Sequence, residues 1–142
     1  MKKYNSIWFA IITCFLMISC GGQEPTLTPS EVYDEKWNNH FVYLEGEVSL
    51  PDEQSGGFLT QNINVTHENG EIYPLINVEI GDGTVPHEIK PLPAEYTDDD
   101  FYILDKNKQV IKVGDKIRIR VLVFHEDTKE ESYVVANEFE KL

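Results

Sequence analysis

Positive charge is what this chain has least of. Arg118 and Arg120 are its only arginines, and its 12 basic residues stand against 25 acidic ones, a formal net charge of −13. Nucleic-acid affinity rests on basic groups that neutralise phosphates and release counterions, so no nucleic-acid partner is expected. Cysteine is nearly as scarce. Cys14 and Cys20 alone cannot supply the disulfide framework that staples small secreted domains. The four histidines, His40, His67, His87 and His125, lack the HxH or HExxH spacing of a metal centre and read as loop or strand-end residues. No Ser-His-Asp or Cys-His set accompanies them, so nothing marks a catalytic nucleophile. Long apolar runs are missing as well. The longest, residues 7–18 (IWFAIITCFLMI), falls short of the roughly 20 residues that span a bilayer.

That short run is informative for another reason. It follows Lys2 and Lys3 and precedes Met17-Ile18-Ser19-Cys20-Gly21, which gives the charged, apolar and cleavage regions of an export signal in order. The last five residues resemble the bacterial lipobox, in which a small residue precedes a cysteine that is lipidated before the chain is cut in front of it. Met17 stands where leucine is usual. The resemblance implies a signal peptide over residues 1–19 and a lipidated Cys20 that anchors the mature protein to the bacterial cell envelope, with the outer membrane as the expected site. The alternative is an ordinary signal cut near Ser19, or a buried cysteine. Acylation accounts for a thiol left without a partner once Cys14 departs, and more than one acyl chain makes an anchor durable. Loss of Lys2 and Lys3 makes the remainder two units more negative than −13. Such acidity either keeps an exported domain soluble or serves a binding role.

Residues 20–28 read as a flexible tether and residues 29–142 as one domain. Thr28-Pro29-Ser30-Glu31 carries an N-cap, a proline at the first helical position and a capping-box glutamate, which predicts a short helix over residues 29–38 with Val32 and Trp37 toward the core. From there the period becomes two. In FVYLEGEVSL, Val42, Leu44, Val48 and Leu50 alternate with polar residues as in a strand with one buried face. Gly46 interrupts that series and predicts a bend that lets one strand serve two sheets. A second strand is expected over residues 58–66 and, after the Asn69-Gly70 turn, a third over residues 71–80, with Pro74 at an edge or bulge. Two short strands, residues 101–104 and 109–112, flank a turn at residues 105–108. The clearest strand is KIRIRVLVF, where Ile117, Ile119, Val121 and Val123 alternate with longer or charged neighbours, and a last strand covers residues 132–140.

This order of parts, with the bent glycine strand VYLEGEVSL and Val113-Gly114-Asp115-Lys116-Ile117 opening the final pair, resembles small OB-fold lipoproteins of the Bacteroidetes. The resemblance covers residues 37–142 and implies a five-stranded Greek-key barrel. It departs from the usual pattern between strands three and four, where many OB-folds have a helix and this chain has prolines. An immunoglobulin-like β-sandwich of seven strands is the alternative. Two functions from different classes are compatible with these features. One is a non-catalytic binding or adaptor module for a peptide, glycan or protein partner. The other is an envelope hydrolase or calcium-dependent enzyme.

Transferred by that resemblance, a ligand would meet the face of strands two and three, which holds Phe58, Thr60, Asn62 and Asn64 from one strand and Tyr73, Leu75 and Asn77 from the next. Ile63, Val65, Ile72, Ile76 and Val78 take the core side. Outward asparagines are poor strand formers whose amides suit glycans or peptide backbone; an ordinary wet face is the other reading. No cofactor is expected beyond a weak calcium candidate at Asp98, Asp99 and Asp100, with Glu95 and Asp82 nearby; the preferred reading of these residues is a solvated acidic loop. Asp105-x-Asn107-x-Gln109 opens like an EF-hand, but Val110 and Lys116 occupy the glycine and glutamate positions. Arg118 and Arg120 share one strand face. They form either an anion clamp or, if the first and fourth barrel strands pair, a charge ladder with Glu45 and Glu47.

Overall fold

The computed structural model describes residues 22–55, 59–80, 86–125 and 132–142. Eight strands form two sheets: β1 (Phe41–Ser49), β2 (Thr60–Thr66), β3 (Ile76–Glu79), β4 (Glu88–Ile89), β5 (Ile103–Leu104), β6 (Val110–Ile111), β7 (Lys116–Phe124) and β8 (Tyr133–Lys141). Five of them close a barrel in the order β1-β2-β3-β8-β7. All its neighbours are antiparallel except β3 and β8, which run parallel. This is an OB-like all-β barrel. The parallel closure rules out the sandwich alternative, whose two sheets are antiparallel.

Alternation of side chains builds the core. In β7, Ile117, Ile119, Val121 and Val123 are fully buried while their neighbours are not, as period two requires. β1 serves two neighbours: Phe41 to Glu47 pair with β7, and Glu47 to Ser49 pair with β2. Gly46 sits at that change of partner. A Cβ there would lie 2.3 Å from the Thr66 carbonyl oxygen, so only glycine permits the close approach.

Three expectations are corrected. The helix over residues 29–38 is instead two 3-10 turns, Glu31–Tyr33 and Glu35–Trp37. Val32 is the only buried residue of either turn; without an apolar stripe to pack, so short a helix is marginal. Asp34 then leaves helical space, at ψ 124°, and its side chain accepts from the Lys36 N–H. The glutamate of the foreseen capping box does fold back: the Glu31 carboxylate accepts from the Thr28 N–H at 2.8 Å and its hydroxyl at 2.9 Å.

The third strand is shorter than residues 71–80 and changes phase at Pro74. Ile72, expected inside, is 59% exposed, and Tyr73, expected outside, is 3% exposed. Proline cannot donate to the ladder, so the segment before it follows its own pairing, with the Tyr73 N–H on the Val65 carbonyl at 3.0 Å. Regular alternation resumes at Ile76.

The tether is also shorter than residues 20–28. The Tyr43 N–H donates to the Pro25 carbonyl at 2.8 Å and the Leu27 N–H to the Tyr43 carbonyl at 2.9 Å, which lays residues 25–27 parallel to β1 through the Thr26–Tyr43 bridge. Leu27 joins the core.

Between β3 and β7 the chain forms the small sheet β4-β5-β6. The sequence disclosed two of its strands and missed β4. Ile89, Ile103, Ile111 and Phe101 join the barrel core. Asp105, fully buried, fastens the β5–β6 hairpin: its Oδ1 accepts from Asn107 and Gln109 N–H groups at 2.7 and 2.8 Å, and its Oδ2 accepts from the Lys141 N–H of β8 at 3.2 Å.

Candidate functional site

The face foreseen for ligand is largely covered. Asn62 on β2 and Asn77 on β3 are directly opposed, yet Asn62 is only 1% exposed because the β1–β2 loop folds over it. Gln54 clamps the Asn62 backbone in both directions, accepting its N–H at 2.7 Å and donating to its carbonyl at 3.0 Å. The Asn62 Nδ2 donates to Ser55 Oγ at 2.7 Å. Asn62 therefore holds a loop. Tyr73 is a second correction: its hydroxyl donates to the Leu27 carbonyl at 2.8 Å, and burial pushes the phenol up to about 12. Asn64 and Asn77 are half-buried, Leu75 is exposed, and Phe58 lies outside the described residues. Thr60, half-buried, borders a cavity.

That cavity is a cleft of about 540 Å³, within the range of small-ligand sites. One wall is the β1–β2 loop, with Asp52, Glu53 and Gln54, and the other is the proline-rich strap, with Pro91, Leu92, Pro93 and Tyr96. Thr60, Gln61 and Ile80 close it on the barrel side. The Tyr96 hydroxyl reaches across to donate to the Pro51 carbonyl at 2.5 Å. Prolines stiffen one wall, and the Gln54–Asn62 clamp fixes the other.

Gln61 is the residue sequence reasoning missed. It lies in the inward phase of β2 with Ile63 and Val65, and pairs with Val78. It is 2% exposed, and neither Oε1 nor Nε2 has a hydrogen-bond partner. A buried unpaired amide costs about 1–3 kcal/mol. The signal was available: a glutamine where the alternation demands an apolar side chain.

The other candidates resolve as local structure. Glu45 stands opposite Arg118 in the β1–β7 register, and its carboxylate accepts from Arg118 Nε at 2.6 Å. Glu47, however, faces Lys116, and Arg120 faces Tyr43. Arg120 instead forms a two-point pair with Glu24, with Nε to Oε2 at 2.6 Å and NH2 to Oε1, donates to Asn137 Oδ1 at 3.0 Å and lies over the Phe41 ring. That pair holds the Glu24 carboxyl below its ordinary value, the hydrogen bond from Arg120 being the main cause.

Asp98–Asp100 forms an exposed 3-10 turn in which the Asp100 carboxylate accepts from the Thr97 N–H and hydroxyl. Among the described residues, no group of three or more His, Cys, Asp or Glu side chains is placed to hold a metal ion. Asp82 and Cys20 lie outside the described residues. His87 sits in the bend just before β4, as expected of a loop or strand-end residue, but it is buried at 1% exposure, edge-on to Phe139 at 5.0 Å, and burial lowers its basicity.

No family model matches this chain, and no curated protein matches it. Among solved structures it is similar to a protein described as an aspartyl-tRNA synthetase of Leishmania major Friedlin, with TM-score 0.49 and 10% identity over 84% of this chain and 21% of that one. It is likewise similar to OBody AM3L09, solved bound to hen egg-white lysozyme, with TM-score 0.49 and 12% identity over 84% of this chain and 96% of that one.

Proposed function

We propose that this chain is an exported, lipid-anchored barrel that works without catalysis, as a binding or adaptor module of the bacterial cell envelope, with its partner seated in the cleft. The observation that carries this reading is the cleft of about 540 Å³ between the β1–β2 loop and the proline-rich strap, a hollow of small-ligand size lined by Asp52, Glu53, Thr60, Leu92 and Tyr96.

The docked N-terminal segment adds an orientation. Gly22 to Pro25 pass beside Trp37, Asn39 and Phe41, at the start of β1, while the cleft lies past the end of β1 at Ser49. About 26 Å of strand separates the two ends. Cys20 is two residues from Gly22, a reach of at most about 7 Å. A lipidated Cys20 would therefore hold the β1 start against the bilayer and point the acid-rimmed cleft away from the headgroups.

The test is fractionation of cells exporting the full chain, followed by depth measurement in vesicles. The native chain should sediment with membranes and carry the added mass of acyl groups, whereas Cys20→Ser should be released. A fluorophore at Asn39 should be quenched by nitroxide lipids more than one at Asp52. A membrane-bound Cys20→Ser variant would refute the anchor, and equal quenching would refute the orientation.

A further inference from the structure

We infer that His87 is a proton-operated latch on the cleft: its neutral ring pins the proline-rich wall to the barrel, and protonation lets that wall loosen. The latch regulates the cleft and rests on the binding-module reading.

The wall is fastened at both ends. At one end the Tyr96 hydroxyl holds the Pro51 carbonyl; at the other, Ile89 and His87 are buried in the barrel, and the cleft-lining Pro91, Leu92 and Pro93 follow directly. The His87 ring is set against two barrel strands. Its Nε2 lies 3.2 Å from the Glu79 carbonyl at the end of β3, and the ring stands edge-on to Phe139 of β8, with centroids 5.0 Å apart. A carbonyl only accepts, so Nε2 carries the hydrogen and the lone pair of the neutral ring is on Nδ1. That Nδ1 is buried and has no hydrogen-bond partner. A second proton would therefore put a full charge inside the barrel, which is costly enough to drive the ring out toward water. The start of the wall would leave with it.

The neighbouring charges do not reverse this. Burial holds the ring's basicity below its ordinary 6.5, against the Glu79 and Asn137 carbonyls and the Glu79 carboxylate, which favour the charged ring. On β8, Glu138 and Glu140 flank Phe139 and are drawn to Lys106, and Glu88, next to His87, is bound to Lys108. Once released into water, the ring takes its proton at the ordinary value, whereas the closed ring takes it only at lower pH. The open state therefore binds more protons in between, so the latch is complete above pH 6.5 and weakens as pH falls below it. A partner held between the two walls would be let go in acid.

The experiment is amide hydrogen exchange of the full chain in detergent micelles at about pH 7.5 and about pH 5.5, corrected for the intrinsic pH dependence of exchange. Residues 87–97 should open several-fold more often in acid, up to the roughly tenfold that one unit below 6.5 allows, with residues 116–124 unchanged. His87→Gln keeps an N–H donor near the position of Nε2 and does not titrate, so its wall should exchange alike at both pH values. Equal protection of the native wall at the two pH values would overturn the latch, as would an acid response that survives in His87→Gln. Acceleration shared by residues 116–124 would overturn it too, because the whole barrel would then be opening. Should His87→Gln misfold, the imidazole resonance of His87 in the native chain decides: it should titrate below 6.5, and a midpoint at or above that value would overturn the latch. None of these readouts needs a ligand, so a failed latch leaves the binding-module reading standing, and a cleft that binds nothing leaves the latch standing.

Discussion

Single residues in this barrel are held by contacts distant in sequence, and two of them make sharp predictions. Asp105 opens what resembles a calcium loop, yet its carboxylate is consumed by three backbone N–H groups, one of them 36 residues away. Asp105→Ala strands those donors and should lower stability by about 3 kcal/mol in urea unfolding. Asp105→Asn, which keeps one acceptor oxygen, should cost about half as much. Equal losses would deny the carboxylate its role. Tyr73 makes a pH prediction. The fold favours its neutral form and raises its ionisation from 10.0 to about 12, so the unfolded chain ionises first. Stability is complete below pH 10 and falls as pH rises from there toward 12. Tyr73→Phe should lose about 1 kcal/mol at neutral pH and show a smaller alkaline decline. A decline as steep as the native one would assign it to other groups.

At the scale of elements, what the sequence disclosed was the alternation, and what it hid was partner choice. Period two placed β1, β2, β7 and β8, because burial of one face is a local regularity, whereas the Glu45–Arg118 pair followed from the OB resemblance, in which the first and fourth barrel strands pair. It failed at Tyr73, where Pro74 breaks the ladder and the phase reverses. It failed at residues 29–38, where good cap residues lack an apolar stripe. It also missed Glu24 as the partner of Arg120, because nothing local joins residues 96 apart. The two arginines should separate in stability measurements. Arg118 is the more exposed, at 40% against 25% for Arg120, and Arg118→Ala should cost less than about 1 kcal/mol. Arg120→Ala unpairs Glu24 and uncovers Phe41, so it should cost about 1–2 kcal/mol. The reverse order would mean that the Glu24–Arg120 pair adds little to the fold.

For the whole molecule, the barrel order places two distinct ends on one small body. The chain enters at the start of β1, where residues 25–27 are zipped to it, and the cleft opens beyond its far end, between a clamped loop and a stiff strap. The barrel itself was legible from alternation, from Gly46 and from an order of parts that resembles OB-fold lipoproteins. The cleft was not, since it needs the proline-rich strap to return across the end of β2, a path no local pattern encodes. Gln61 was legible only in part: its wrong polarity for the inward phase is visible in the sequence, its missing partners only in three dimensions. Nitroxide-lipid quenching of the full chain in vesicles, with a fluorophore at Asn39 or at Asp52, tests the anchored orientation most directly. Quenching is predicted to be stronger at Asn39, beside the start of β1, than at Asp52, on the cleft wall. Equal quenching, or stronger quenching at Asp52, would contradict the account.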